Sequence, residues 1–320
     1  MALVILLGAV IMDALWGEVP TAIHPVGWMG NWISSFRTKA QGITNNGSQF
    51  LWGLICLVFG TLLFGGIPWI FESRWSGWGQ NSLLLSLLSL AIGILFLKGA
   101  FAYKALIQAG RLVQNALDDG DLPKAQELLA YHLVSREVKE LDGEGVASAT
   151  VESLAENLVD SVAAPLMFYG VFGLAGAYVQ RFADTADSML GYRDAEREWL
   201  GKAPARWDDA LCFIPARMAG YILLAPHQWK FLRQEAKKCP SPNSGWPVAA
   251  MAFRLGICLK KPGVYVLNPE GRPPQSQDIS KAIRIIHRAY AFTIVLVAAI
   301  LIIKSIFHRF SLNWLISPQF

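Results

Sequence analysis

The stretch Phe50–Phe71 contains no Asp, Glu, Lys or Arg, and Ser82–Tyr103 contains only Lys98. Each is long enough to cross about 30 Å of hydrocarbon as a helix. A third stretch, Ala289–Phe307, carries only Lys304. Lipid offers no water to unpaired backbone groups, so segments of this kind close their hydrogen bonds internally as helices. With 53% hydrophobic and only 16% charged residues, the whole chain points the same way. The predicted fold class is all-α: a polytopic α-helical membrane protein with a large cytoplasmic-face helical region and broken or re-entrant helices.

The remaining segments are less simple. Met1–Leu15 is apolar but has neither a basic start nor a small-residue cleavage site, so it reads as a retained first membrane helix. Asp13 near its end is costly in lipid and should face protein or the interface. Gly17–Gly30, GEVPTAIHPVGWMG, is punctuated by Gly and Pro and is expected to be a loop. A polar linker around QGITNNGSQ follows it. Between the second and third apolar stretches, Trp75 and Trp78 sit in a short loop where interfacial aromatics belong. Lys104–Tyr131 has the periodicity of two amphipathic helices, broken by a turn at Asp118–Pro123. Leu158–Val179 is interrupted by Asp160 and Pro165, and Ala210–Pro226 by Pro215 and Arg217. Both are expected to dip into the membrane or lie buried rather than cross it. The expected organisation is membrane helices and a substrate loop over 1–103, a helical catalytic region over 104–226, a basic region with turns at SPNSGWP and KKPGVY over 227–288, and a last membrane helix over 289–307. Applied to the four confident spans, the lysines and arginines place the large polar region in the cytoplasm and both termini outside.

Several function classes lack support. The net charge of +4 is small, and no basic repeat or zinc-knuckle spacing suggests a nucleic-acid partner. The four cysteines are far apart, with no CxxC pair, and read as unpaired thiols. No P-loop or HExxH motif occurs.

Chemistry concentrates between Val134 and Arg217. A helix beginning near Thr150 would put Glu152, Glu156 and Asp160 on one face, with Ser153 and Asn157 beside them. Such a row repels itself unless cations or a metal lie opposite, and it runs straight into an apolar segment. DTADSMLGYRD adds Asp184, Asp187, Tyr192 and Arg193, and ARWDDALCFIPAR adds Arg206, Asp208, Asp209 and Arg217. Carboxylate oxygens for Mg²⁺ and guanidinium forks for phosphate are the ingredients of phosphoryl chemistry. His24 reads as a ligand, a base or a loop-packing histidine. SPNSGWP reads as an ordinary turn or as an anion nest around Asn243.

GEVP…HPVGWMG, VSREVKELDGEGVASATVESLAENLVDSVAAPLMFY, TADSMLGYRD, ARWDDALCFIPAR and SPNSGWPVAAMA occur in the order found in the cobalamin-biosynthesis family called CbiB or CobD, which the chain resembles from Met1 to about Phe307. It departs from that family's pattern at Glu18, Asp184, Cys212 and Phe253. The resemblance implies an adenosylcobinamide-phosphate synthase, a multi-pass inner-membrane ligase. Such an enzyme joins the corrinoid adenosylcobyric acid to (R)-1-amino-2-propanol or its O-phosphate, with ATP as co-substrate and Mg²⁺ as cofactor. On that basis Glu152, Glu156, Asp187 and Arg193 are expected to be catalytic. His24, Arg136, Asn157, Asp184, Tyr192, Arg206, Arg217 and Asn243 are expected to bind substrate, and Asp160, Asp208 and Asp209 the metal. The expected partners are the lipid bilayer and these substrates, with other cobalamin-assembly membrane enzymes or a second copy of the chain as further options. The alternatives are a non-catalytic AmpE-like membrane signalling protein and a transporter, the latter predicting inverted repeats that the sequence does not display.

Overall fold

The computed structural model describes residues 1–320 except 21, 22, 79–81, 193, 195, 196, 225 and 317–320; of 76–78, 226 and 308–316 it describes the backbone alone. The helices are α1 (Ala2–Trp16), α2 (Pro25–Ala40), α3 (Asn46–Trp78), α4 (Leu83–Lys98), α5 (Tyr103–Asp118), α6 (Leu122–His132), α7 (Gly143–Leu158), α8 (Ala164–Leu190), α9 (Lys202–Leu211), α10 (Phe213–Leu223), α11 (Trp229–Ala236), α12 (Gly245–Leu255) and α13 (Ser276–Ile316). A small antiparallel pair, β1 (Leu259–Lys261) and β2 (Tyr265–Leu267), sits between α12 and α13. The all-α class holds, and several helices are long and apolar enough to cross a bilayer.

The apolar stretches form helices as expected, with different ends. α3 runs to Trp78, so Trp75 lies in a helix rather than a loop, and α13 begins at Ser276, well before Ala289. Leu62, Trp69, Leu84, Val295 and Phe307 project outward, as lipid-facing side chains do. α1 is an apolar helix of 15 residues, roughly 22 Å long and so shorter than the hydrocarbon it was expected to cross. Asp13 at its far end is fully buried, 3.2 Å from the equally buried Lys98, and accepts the backbone N–H of Lys104. Gly17–Gly30 is only partly a loop. His24 caps α2 by accepting the Val26 N–H, and Pro25 at the first turn needs no donor, so the helix starts within the expected loop.

α7 starts at Gly143 rather than near Thr150, because Asp142 caps it by accepting the Gly145 N–H. It passes into a π-helical turn, Val159–Ala163, and then into α8, where Pro165 occupies the first turn. α8 is not straight. The carbonyl of Asp160 accepts from Gln180 Nε2 at 3.5 Å and from Arg181 Nη1 at 3.4 Å. A continuous helix would hold those residues about 30 Å apart. The chain therefore folds back, and it does so at Gly173, the one residue of α8 with non-helical dihedrals (φ 71°, ψ −160°).

The result is a helical hairpin whose arms, Leu158–Phe172 and Leu174–Leu190, return to the same end of the molecule. Glu72 of α3 accepts the Leu174 N–H at 3.1 Å, and Lys304 of α13 donates to the Val171 carbonyl at 2.7 Å, so the reversal's freed backbone groups are paired. The expectation that Leu158–Val179 dips in is thus met by a hairpin. The Tyr169 hydroxyl donates to the Ala2 carbonyl, which puts the start of α1 and the outer part of α13 at the tip end together. α10, at 11 residues, is too short to cross and packs beside α12.

At the opposite end, α5, α7 and the start of α13 pack together, with α6 against α5. Their sequence pattern is legible: Asp121 caps α6 at the predicted turn, and Val113, Ala116, Ala125, Leu129 and Val146 close a small core.

Candidate active site

The hairpin brings its two polar ends together beside α9 and the β pair. A cleft of about 670 Å³ is lined by Glu156, Asn157 and Asp160 from α7 and the π turn, Asp184 and Asp187 from the returning arm, Tyr192, Asp208 from α9, Lys261 from β1, and Ser135 after α6. Glu152 lies one turn before Glu156, 3.1 Å from Arg136 and 3.5 Å from Lys261. Arg181 pairs with Asp184 at 2.9 Å and donates to Ser161 Oγ at 3.2 Å, which in turn donates to Asn157. Tyr192 donates to Ser135 Oγ at 2.7 Å and closes one side.

Six acids, Glu152, Glu156, Asp160, Asp184, Asp187 and Asp208, thus face three cations, Arg136, Arg181 and Lys261, among the described residues. The imbalance is felt most directly at Asp208. Burial, followed by the charges of Asp184 and Asp187, pushes its carboxyl up to about 8. Cys212 donates its S–H to Asp208 Oδ1 at 3.5 Å, and burial next to Asp160 and Asp208 keeps that thiol protonated. A thiol can therefore act as donor at this departure from the family pattern.

No three His, Cys, Asp or Glu side chains among the described residues converge as a ready-made metal cage. Mg²⁺ does not require one: it commonly keeps several waters and takes one or two carboxylates plus substrate phosphates. The acids of the cleft offer hard oxygen donors and outnumber its cations, so their chemistry fits such an ion.

Not every expected residue is here. Asp209 and Arg206, 3.5 Å apart, line an adjoining cleft of about 630 Å³ with Lys202 and Ser241. Asp209 thus turns away from Asp160 and Asp208 because adjacent helical residues point about 100° apart. Asp187, Gly191 and Tyr192 line both clefts and join them. Arg136 is committed to Glu152. Asn243 is buried and spent internally: it accepts from Arg217 at 3.1 Å and donates to the Asp209 carbonyl at 2.8 Å. The amides of Asn243 and Ser244 are both taken by Ser241 Oγ, so SPNSGWP is a closed turn and not an open nest. Arg217 lines a third pocket with Arg206.

His24 is not among the residues lining the acidic cleft. It bonds Glu18 at 2.9 Å, and Glu18 also meets Lys98 at 2.9 Å. Burial pushes Glu18 up, but the hydrogen bonds and charges of His24 and Lys98 outweigh it and hold the carboxylate below its ordinary value. Arg193 lies outside the described residues. Two cleft cations escaped sequence reasoning. Arg181 was detectable as an i, i+3 partner of Asp184; Lys261 was not, because only the β pair, tied to α7 by the Lys260 N–H on Ser148 Oγ, delivers it.

Fold and site together define a polytopic α-helical membrane protein with a buried acidic cleft at one end of a re-entrant hairpin. A family model described as CobD/Cbib protein matches residues 6–293, and the chain belongs to that family. It is 37% identical over 296 residues to the cobalamin biosynthesis protein CobD of Dehalococcoides mccartyi, covering 90% of this chain and 93% of the relative. Against the probable cobalamin biosynthesis proteins CobD of Methanothrix thermoacetophila and Methanocaldococcus jannaschii the identities are 36% and 38%, over 93% and 82% of this chain and 96% and 87% of theirs. No solved structure matches the chain.

Proposed function

We propose that this chain carries out the amide-forming step of cobalamin biosynthesis, joining the propionate carboxylate of adenosylcobyric acid to (R)-1-amino-2-propanol or its O-phosphate with MgATP. The observation that carries the reading, beyond family membership, is the cation-poor acidic cleft joined through Asp187 and Tyr192 to a cleft with Arg206 and Lys202. A carboxylate is a poor acyl donor, so the reaction needs activation. Its oxygen attacks the γ-phosphorus of ATP, ADP leaves, and the amine nitrogen then displaces inorganic phosphate from the acyl carbon.

The residues divide accordingly. Glu156, Asp184 and Asp187 bind and orient the amine, which enters as a cation and gives up its proton to a carboxylate before attack. Arg206 and Lys202 hold phosphate oxygens. Mg²⁺, held by Asp160 and Asp208, would neutralise charge on the transferred phosphoryl group. Arg136 and Lys261 hold Glu152 in place. The site end faces the cytoplasm of the cell that makes the cofactor, and the hairpin tip faces outward.

The test is an assay of purified protein in detergent with adenosylcobyric acid, aminopropanol phosphate and MgATP, read by mass spectrometry. The amide product, ADP and phosphate are expected in equal amounts. Intact substrates after incubation with folded protein remove the reading. Asp187→Asn is expected to lower turnover by about 10²-fold or more without unfolding the protein.

A further inference from the structure

The third pocket, of about 630 Å³, is built by α9 to α12 and lined by Arg206, Arg217, Arg233 and Lys237 together with the rings of Phe213, Tyr221 and Trp246. Among the described residues, none that lines it is acidic. Arg233 on α11 and Lys237, the residue just after its C-terminal end, stand four residues apart, exposed, with no hydrogen-bond or ion-pair partner among the described residues. Arg217 is held firmly from α10: it donates to Asn243, to the Phe213 carbonyl at 2.7 Å and to the Pro242 carbonyl at 3.4 Å, and its guanidinium lies over Phe213 and Trp246. Four like charges around one small pocket repel one another, and a bound polyanion relieves that cost.

We propose that this pocket binds the polyphosphate and base of a purine nucleotide. The proposal rests on the ATP-dependent reaction above and locates its nucleotide. Three features favour a nucleotide over a simple anion. Arg forks match phosphate geometry, the Trp246 and Tyr221 rings, 5.8 Å apart, provide stacking surface beside them, and the volume suits a small organic ligand. The decisive feature is continuity. Arg206, Pro240, Ser241 and Pro242 line both this pocket and the middle cleft, and that cleft opens at Asp187 into the acidic one. A nucleotide seated here directs its terminal phosphate along the row toward the acids. This arrangement replaces a P-loop with side chains from α9, α10 and α11, which explains how the chain manages without that motif.

The same basic chemistry would also suit an anionic lipid headgroup, because Phe213 and Ile214 are exposed on the adjoining face of α10. The experiment separates the two sources. Binding of MgADP and of ATP is measured calorimetrically in zwitterionic detergent for the wild type and for the double variant Arg233→Ala/Lys237→Ala, whose exposed positions leave the fold intact. Retention in nanodiscs with and without phosphatidylglycerol is compared in parallel. Expected are a loss of nucleotide affinity of about tenfold or more, a matching rise in the KM for ATP, and an unchanged KM for the amine. Unchanged nucleotide affinity in the double variant overturns the proposal, as does a variant that loses only its preference for anionic lipid. If the wild type makes amide while the variant binds nucleotide normally, the pocket assignment fails and the reaction stands. If the variant loses nucleotide binding but the wild type makes no amide, the reaction fails and the pocket stands.

Discussion

Glu72 of α3 and Leu174 of α8 are joined by a side-chain to backbone hydrogen bond of 3.1 Å across the reversal at Gly173. The carboxylate satisfies the first amide of the returning arm, and Lys304 covers the last carbonyls of the inbound arm. A chain reversal at membrane depth survives only with such pairing. The acidic cleft at the other end depends on it, since both hairpin arms supply cleft residues.

Gly173→Ala is therefore expected to destabilise the protein by about 1–3 kcal/mol, because an added Cβ meets the Glu72 carboxylate and the positive φ is strained. Glu72→Ala should cost about 0.5–2 kcal/mol as a lost cap, and Glu72→Gln less. Apparent unfolding midpoints in detergent measure these differences. A Gly173→Ala protein as stable as the wild type would mean that the arms do not reverse there.

The hairpin also fixes which ends share a side. The native cysteines are all buried, so cysteines introduced at exposed positions report topology. Arg74→Cys, beside the hairpin tip, should react with an impermeant maleimide in intact cells, and Tyr131→Cys, beside the cleft, should react only after lysis. Labelling of Tyr131→Cys from outside would invert the orientation proposed here.

Stability should depend on pH through the cleft. Asp208 is raised from 3.8 to about 8 by burial and its acidic neighbours. Its neutral form is thus favoured by folding, and the contribution is complete below about pH 4 and lost as pH rises through about 8. In EDTA the unfolding temperature is expected to fall by several degrees between pH 5.5 and 8. Millimolar MgCl₂ at pH 8 should restore part of the loss, and Asp208→Asn should flatten the profile. An unfolding temperature that climbs with pH, with no effect of Asp208→Asn, would contradict the charge deficit.

Asn243 separates support from substrate contact. With both ends of its amide engaged and buried, Asn243→Ala is expected to cost about 1–3 kcal/mol and to loosen Arg217. Stability and nucleotide affinity should fall together. A fully stable Asn243→Ala with impaired binding of the amine alone would return Asn243 to the role of a direct substrate ligand.

The sequence by itself determined the class, because that information is local. Apolar runs free of charge set the membrane helices, the capping Asp121 and its turn placed α5 and α6, and helical spacing put Glu152 and Glu156 on one face. Asp160 and Pro165 announced a break but not its form. Tertiary structure alone decided that the chain reverses at Gly173, that Lys261 reaches Glu152, that Asp209 faces a different cleft from Asp208, and that His24 serves Glu18 and Lys98. Each of these turns on contacts between residues far apart in the chain or on the direction of one side chain at a helix junction. Periodicity carries no information about either, since the energy that selects them, the pairing of buried charges and freed backbone groups, exists only once the helices have packed.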